Sequence, residues 1–173
     1  DYAGAPFELF GPAHLVSLVV VILINALIIA NRRRFTPRSR QALRYGLAAV
    51  LLVNEAAWHA WNYFTGQWTV QTMLPLHLCS VLVFASAYML LTKSVTIYEF
   101  AYFLGIGGAT QALLTPDAGA YGFPHFRFFQ VIISHGAIVT AALYMTLVES
   151  YRPTWKSLRK VAIWGNVYVL AVG

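Results

Sequence analysis

The chain has very little of three things: cysteine, charge and charged residues inside its long apolar runs. Cys79 is the single cysteine in 173 residues, which excludes an internal disulfide. Charged residues make up 10% and hydrophobic ones 59%, whereas soluble domains carry roughly 25% charge, so a soluble globular domain is excluded. No basic stretch precedes the first apolar run, and Asp1-Tyr2 reads as an already trimmed start, which argues against a signal peptide. There is no repeat of fixed period and no low-complexity segment. The net charge of +6 does not imply nucleic acid as a partner, because the basic residues sit in stretches between apolar runs, the pattern of cytoplasmic loops.

What is present is a series of apolar runs near the ~20 residues that cross a bilayer core. They predict an all-α, polytopic transmembrane helix bundle, a single domain over 1–173. The expected spans are 12–30, 43–64, 75–92, 97–114, 126–148 and 160–173. Pro75 reads as a first-turn proline of the third. The sixth is still apolar at Gly173, so the expectation is five complete spans plus a truncated sixth, with a seventh beyond it. Arg32, Arg33, Arg34, Arg38, Arg40 and Arg44 crowd the first loop, Lys93 lies in the third, and Arg152, Lys156, Arg159 and Lys160 lie in the fifth. The second loop has no charge, and the fourth has only Asp117, with Arg127 beside it. Odd loops are therefore cytoplasmic and the N-terminus faces out. Trp58, Trp61 and Trp68 fit an outer aromatic belt, and Trp155 and Trp164 an inner one. Ala101, Gly105 and Ala109, with Gly108 and Ala112 alongside, form a small-residue seam suited to close helix packing.

Ionisable groups inside a membrane are costly and need a partner or a purpose. At 1.5 Å per residue, Glu55 and His135 lie roughly 13 Å and His59 roughly 7 Å from the outer surface. His14, Cys79 and Gln111 lie within about a turn of it, and Asp117, His125 and Arg127 crowd the outer mouth. The inner half reads as nearly pure Val, Leu, Ile and Ala. This asymmetry implies a polar cavity in the outer half. Glu55 and His59 share a helix face at i, i+4, as structural glue or as a catalytic pair. His77 and Cys79, two apart, point to opposite sides of a helix, so a base for Cys79 must come from another span, with His135 and His59 the candidates. Cys79 is either a small buried hydrophobe or a thiol favoured as thiolate by the start of its helix.

Three stretches carry a family likeness: Phe7-Glu8-Leu9-Phe10-Gly11-Pro12-Ala13-His14, Leu74-Pro75-Leu76-His77-Leu78-Cys79-Ser80 and Ser134-His135-Gly136. Together, and in their order along the spans, they resemble the YwaF-like integral membrane proteins of bacteria and animals. The resemblance implies a seven-span bundle. Its vertebrate branch, an acyltransferase acting on lyso ether phospholipids, implies Cys79 as nucleophile and His135 as its partner, with His14, His77 and Gln111 lining the site or donating to an oxyanion, and with Glu55 or His59 orienting. Membrane phospholipids are then the partners, no cofactor is required, and a bacterial cytoplasmic membrane is the expected location.

Other readings stay open. Glu55 and the histidines suit a proton-coupled transporter, although the apolar inner half would interrupt a proton path. Glu55, His59, Cys79 and His135 could supply metal ligands, although no metal-binding spacing is present, and no metal site is expected. An accessory subunit of a larger membrane complex would use the same polar groups as interhelical hydrogen bonds.

Overall fold

The computed structural model describes residues 4–74 and 77–172. Among them there are helices and no strand. The first helix, α1 (Pro12–Asn31), starts on a proline whose missing N–H costs nothing at that position and ends where the three arginines begin. The second, α2 (Pro37–Phe64), begins six residues before the expected Leu43. Its start is set by capping rather than by hydropathy: the Thr36 hydroxyl accepts from the Ser39 N–H at 3.2 Å, and Pro37 opens the first turn. Arg38, Arg40 and Arg44 therefore belong to this helix and not to the loop.

A short helix, α3 (Val70–Met73), occupies the connection expected to be plain loop. Pro75, expected in the first turn of the third span, lies outside the described residues; the helix there, α4, covers Leu78–Thr92. The next stretch runs as α5 (Val95–Phe100), a nine-residue π-helical segment (Ala101–Ala109) and α6 (Thr110–Leu114). The apolar run over 97–114 predicts uninterrupted α-helix here. Gly105, Gly107 and Gly108 lower the cost of leaving α geometry, and wide turns of this kind are otherwise rare. The small-residue seam is real: Ala101, Gly105 and Ala109 are buried, and a Cβ on Gly105 would stand 3.1 Å from a methyl of Ile138. The α7 helix (Phe126–Leu147) lies within a residue of its expected bounds. The last, α8 (Trp155–Val172), starts before the expected Lys160 because Thr154 and Ser157 cap each other reciprocally at 3.1 Å.

α7 is the hub, in contact with α1, α2, α4, α6 and the π segment. Its core contacts include Ile138, Ala141, Tyr144 and Met145 against Leu51, Leu82, Met89 and Leu90. Of the apolar windows in the two longest apolar helices, 78% of that in α7 is buried but only 11% of that in α1, so α1 packs on the bundle from outside with Val16, Ile22 and Leu27 facing outward. By length and composition two helices are able to cross a bilayer, Pro12–Asn31 and Phe126–Leu147, while α4 is apolar but has only 15 residues. The expected set of five full spans is not reproduced by that criterion, since α2 carries arginines and a glutamate and the 95–114 stretch is divided.

The bundle has two polar ends. One holds His14, His59, Cys79 and His125, and the other holds the arginine loop with Lys93, Glu149 and Arg152. The second is not the apolar half expected. Buried Arg44 donates to the Leu90 carbonyl at 2.6 Å, and Tyr144 donates to Glu149 Oε1 at 3.1 Å and to the Arg40 carbonyl at 3.0 Å. Lys93 pairs with Glu149 at 2.7 Å, Tyr98 bonds Thr146 at 2.9 Å, and Lys160 pairs with Glu99 at 2.8 Å. Tyrosines that count as apolar by hydropathy supply much of this network.

Candidate functional site

At the histidine end, Glu55, His59 and Asn62 follow one another at helical spacing on α2. Glu55 is buried, and its Oε1 lies 3.8 Å from His59 Nε2 with no hydrogen-bond partner. The Trp68 indole N–H donates to His59 Nδ1 at 3.2 Å. The accepting nitrogen is thereby fixed, so the neutral ring carries its proton on Nε2, on the side of Glu55. The expected i, i+4 pair thus exists, at longer than hydrogen-bond distance.

Cys79 is the second residue of α4 and half-buried. His77 occupies the N-cap, and its side chain makes no capping hydrogen bond. His135 lies in the middle of α7, where its Nδ1–H donates to the Val131 carbonyl at 2.8 Å. Its Nε2 is therefore a bare lone pair, and it is buried without a partner.

Among the described residues no hydrogen bond joins the Cys79 thiol to His135. Asn54 of α2 donates to the Gln130 carbonyl of α7 at 3.1 Å, which sets the level of the two helices. His135, five residues further along, lies roughly 7 Å deeper than Gln130 at helical rise. The later start of α4 also leaves Cys79 shallower than the sequence implied.

The remaining site residues separate. His14 is fully buried in the first turn of α1. Phe10 N–H donates to its Nδ1 at 3.0 Å, and its Nε2–H donates to the Leu113 carbonyl at 2.8 Å. It ties the start of α1 to the end of α6 with no valence left over. Gln111 is exposed and donates to the Thr115 hydroxyl at 2.9 Å. His77 is exposed.

Arg127, which the sequence places at the outer mouth without a role, stands in the first turn of α7. Its guanidinium lies over the Trp58 ring at 4.0 Å, donates to the buried Gln130 side chain, and donates to the Asp117 carbonyl at 3.3 Å. Trp58 stacks on Trp61 at 5.3 Å, and Trp61 meets Tyr121 and His125 edge-on at 5.8 Å. The tryptophans expected in a surface belt therefore build the wall of the mouth. The sequence signal was Arg127 and Asp117 together at a span end; the Trp58 partner lies on another helix and is not legible from either.

Two apolar grooves flank the bundle. One, of about 780 Å³, starts at Leu78 beside Cys79 and runs along Val81, Leu82 and Ala85 of α4 to α8. The other, of about 820 Å³, lies between α1, α2 and α7. Both fall within the size range of small-molecule sites. Among the described residues no three His, Cys, Asp or Glu side chains converge to hold a metal ion.

Compared with known proteins, residues 9–173 match the model of the TMEM164 family. No curated protein and no solved structure matches the chain.

Proposed function

Because the chain belongs to the TMEM164 family, a family of membrane proteins, we propose that it is a multi-pass integral membrane protein that moves acyl chains between phospholipids by way of Cys79 and His135. Multi-pass insertion is supported by the large apolar side chains facing outward on helices besides α1 and α7, among them Val53, Leu91, Ile163 and Leu170. Lys and Arg crowd one end of the bundle, which puts that end in the cytoplasm and the histidine end outside. The likeness of the Leu74–Ser80 and Ser134–Gly136 stretches to the YwaF-like proteins supports the choice of nucleophile.

One observation carries the choice of base. In His14, His59 and His125 the accepting nitrogen is already taken, by the N–H groups of Phe10, Trp68 and Arg127. His77 is exposed, which leaves His135 as the buried histidine with a free lone pair. In the proposed reaction the Cys79 proton passes to His135 Nε2 as the donor ester enters beside the thiol. The thiolate attacks the ester carbonyl, the C–O bond breaks, and the departing lysolipid oxygen takes the proton from His135. A second lysolipid hydroxyl then gives its proton to His135 and attacks the thioester, and the C–S bond breaks to restore the thiol. The apolar groove opening at Leu78 suits the acyl chain.

The test is intact-mass spectrometry after incubation with phospholipid in vesicles. An acyl-sized mass increase that is absent in Cys79→Ala, and slowed at least roughly a hundredfold in His135→Gln, is expected. Acyl transfer that persists in Cys79→Ala refutes the reading.

A second reading, a proton-coupled transporter, gains one specific support. Arg44 Nε and Ser86 Oγ are buried without partners, so polar groups continue beyond Glu55 towards the arginine end. Proton-dependent flux into liposomes that disappears in Glu55→Gln would favour it over acyl transfer.

A further inference from the structure

We infer that Arg127 is a headgroup subsite at the histidine end of the bundle, and that its ligand is a phosphodiester carrying a cationic group. The inference rests on the acyl-transfer reading for the lipid nature of the ligand. Arg127 forms no ion pair within 4.0 Å among the described residues. Its partners are the neutral Gln130 amide, the Asp117 main-chain carbonyl and the Trp58 ring. Asp117 and Glu55 act on it only from a distance.

The guanidinium stands over the Trp58 indole and gives two of its five N–H groups to Gln130 and the Asp117 carbonyl; the other three are donors for phosphate oxygens, in a planar fork that a lysine does not offer. Gln130 is buried and fixes that plane from behind. The position is that of a headgroup, since Arg127 opens α7 beside the mouth built by Trp61, Tyr121 and His125.

The cationic part of the ligand follows from Asp117. Its side chain is exposed at the same mouth and enters no ion pair among the described residues. The Asp117 carboxylate disfavours a free dianionic phosphate, while a zwitterionic phosphodiester presents its phosphate to Arg127 and its positive end to Asp117.

The experiment is a titration of the purified full chain in uncharged detergent, read by tryptophan emission, with Trp58→Phe identifying the share that comes from Trp58. The probes are dihexanoyl phosphatidylcholine, dihexanoyl phosphatidic acid, dihexanoylglycerol and inorganic phosphate. Wild type is expected to bind the phosphatidylcholine roughly ten- to a hundredfold more tightly than the diacylglycerol, the value of hydrogen bonds to a charged group. Arg127→Gln is expected to erase that preference and Arg127→Lys to reduce it. Asp117→Asn is expected to erase the preference for phosphatidylcholine over phosphatidic acid.

A phosphate preference that survives Arg127→Gln overturns the inference, and so does its absence in wild type. Inorganic phosphate binding as tightly as the phospholipid would overturn the headgroup assignment in favour of free phosphate. If Arg127→Gln does not fold, an unreduced preference in Arg127→Lys overturns the forked contact. Each titration is repeated on Cys79→Ala, so that a chain without acyl transfer but with the Arg127-dependent preference separates failure of the reaction from failure of the subsite.

Discussion

Replacing His14 tests whether a histidine that the sequence places at the site belongs to the reaction or to the fold. The ring is 1% exposed and uses both nitrogens, one for Phe10 N–H at 3.0 Å and one for the Leu113 carbonyl at 2.8 Å. Phe10 has a positive φ of 57°, an unusual conformation for a bulky residue, and its N–H bond to His14 helps to hold it there. The Leu113 carbonyl belongs to the last turn of α6 and has no helical partner of its own. His14→Ala leaves the buried Leu113 carbonyl without a partner, at about 1–3 kcal/mol, frees the part-buried Phe10 N–H at a smaller cost, and vacates a space lined by Phe7 and Phe10, which pack on the ring at 5.2 and 5.6 Å. The expected loss is about 3–6 kcal/mol, a drop in the unfolding midpoint on the order of 10 °C. His14→Gln keeps one donor and one acceptor and is expected to lose roughly half as much. The assay is thermal unfolding in detergent, with Cys79 acylation measured below the midpoint and normalised to folded protein. An unchanged midpoint with abolished acylation would refute the structural argument and return His14 to the site.

Three further outcomes follow from single contacts. Gly122→Ala is expected to detach the N-terminal segment, because a Cβ there would run into the main-chain oxygens of Ala5 and Pro6; faster protease cleavage before Pro12 is the readout, and wild-type cleavage rates would refute it. Asn25→Leu removes the bond to the Thr140 hydroxyl at 3.0 Å and should cost about 0.6–2 kcal/mol in α1 packing, read by unfolding. Burial alone would push the Glu149 carboxyl up, but Lys93 at 2.7 Å and the Tyr144 hydroxyl hold it below its ordinary value of 4.5. A carboxyl whose folded-state value is depressed stabilises fully above 4.5, and that contribution fades as the pH falls through the folded value. Lys93→Met should therefore lower the midpoint at pH 7 more than at pH 3, and an equal change at both would refute the pairing.

The parts of this molecule that were legible in the sequence are those decided locally. α7 follows from an unbroken apolar run after a histidine cap, and α1 from a proline start and an arginine stop. The burial of Ala101, Gly105 and Ala109 follows from their size and spacing. The starts of α2 and α8 are set by Thr36-Pro37 and by Thr154 through Ser157, and hydropathy alone, which ignores capping, places both later. What was not legible depends on partners distant in the chain. Tyr98 and Tyr144 count as membrane filler until their hydroxyls find Thr146 and Glu149. Arg44 looks like a loop residue until it meets the end of α4.

The contrast between the two ends survives in a different form from the one hydropathy suggested. Both ends carry buried polar groups, so polarity does not distinguish them. The kind of valence left open does. Among the described residues four buried side-chain atoms lack a partner. Glu55 Oε1 and His135 Nε2, in the half nearer the histidine end, are both acceptors, given a neutral His135 with its proton fixed on Nδ1. Arg44 Nε, near the other end, is a donor, and Ser86 Oγ, within α4, is both. Leaving an acceptor buried and unpaired costs about 1–3 kcal/mol, and each of these is relieved by a ligand or side chain that brings a proton. A thiol and a lipid hydroxyl are such groups, and both are what acyl transfer through Cys79 would deliver there.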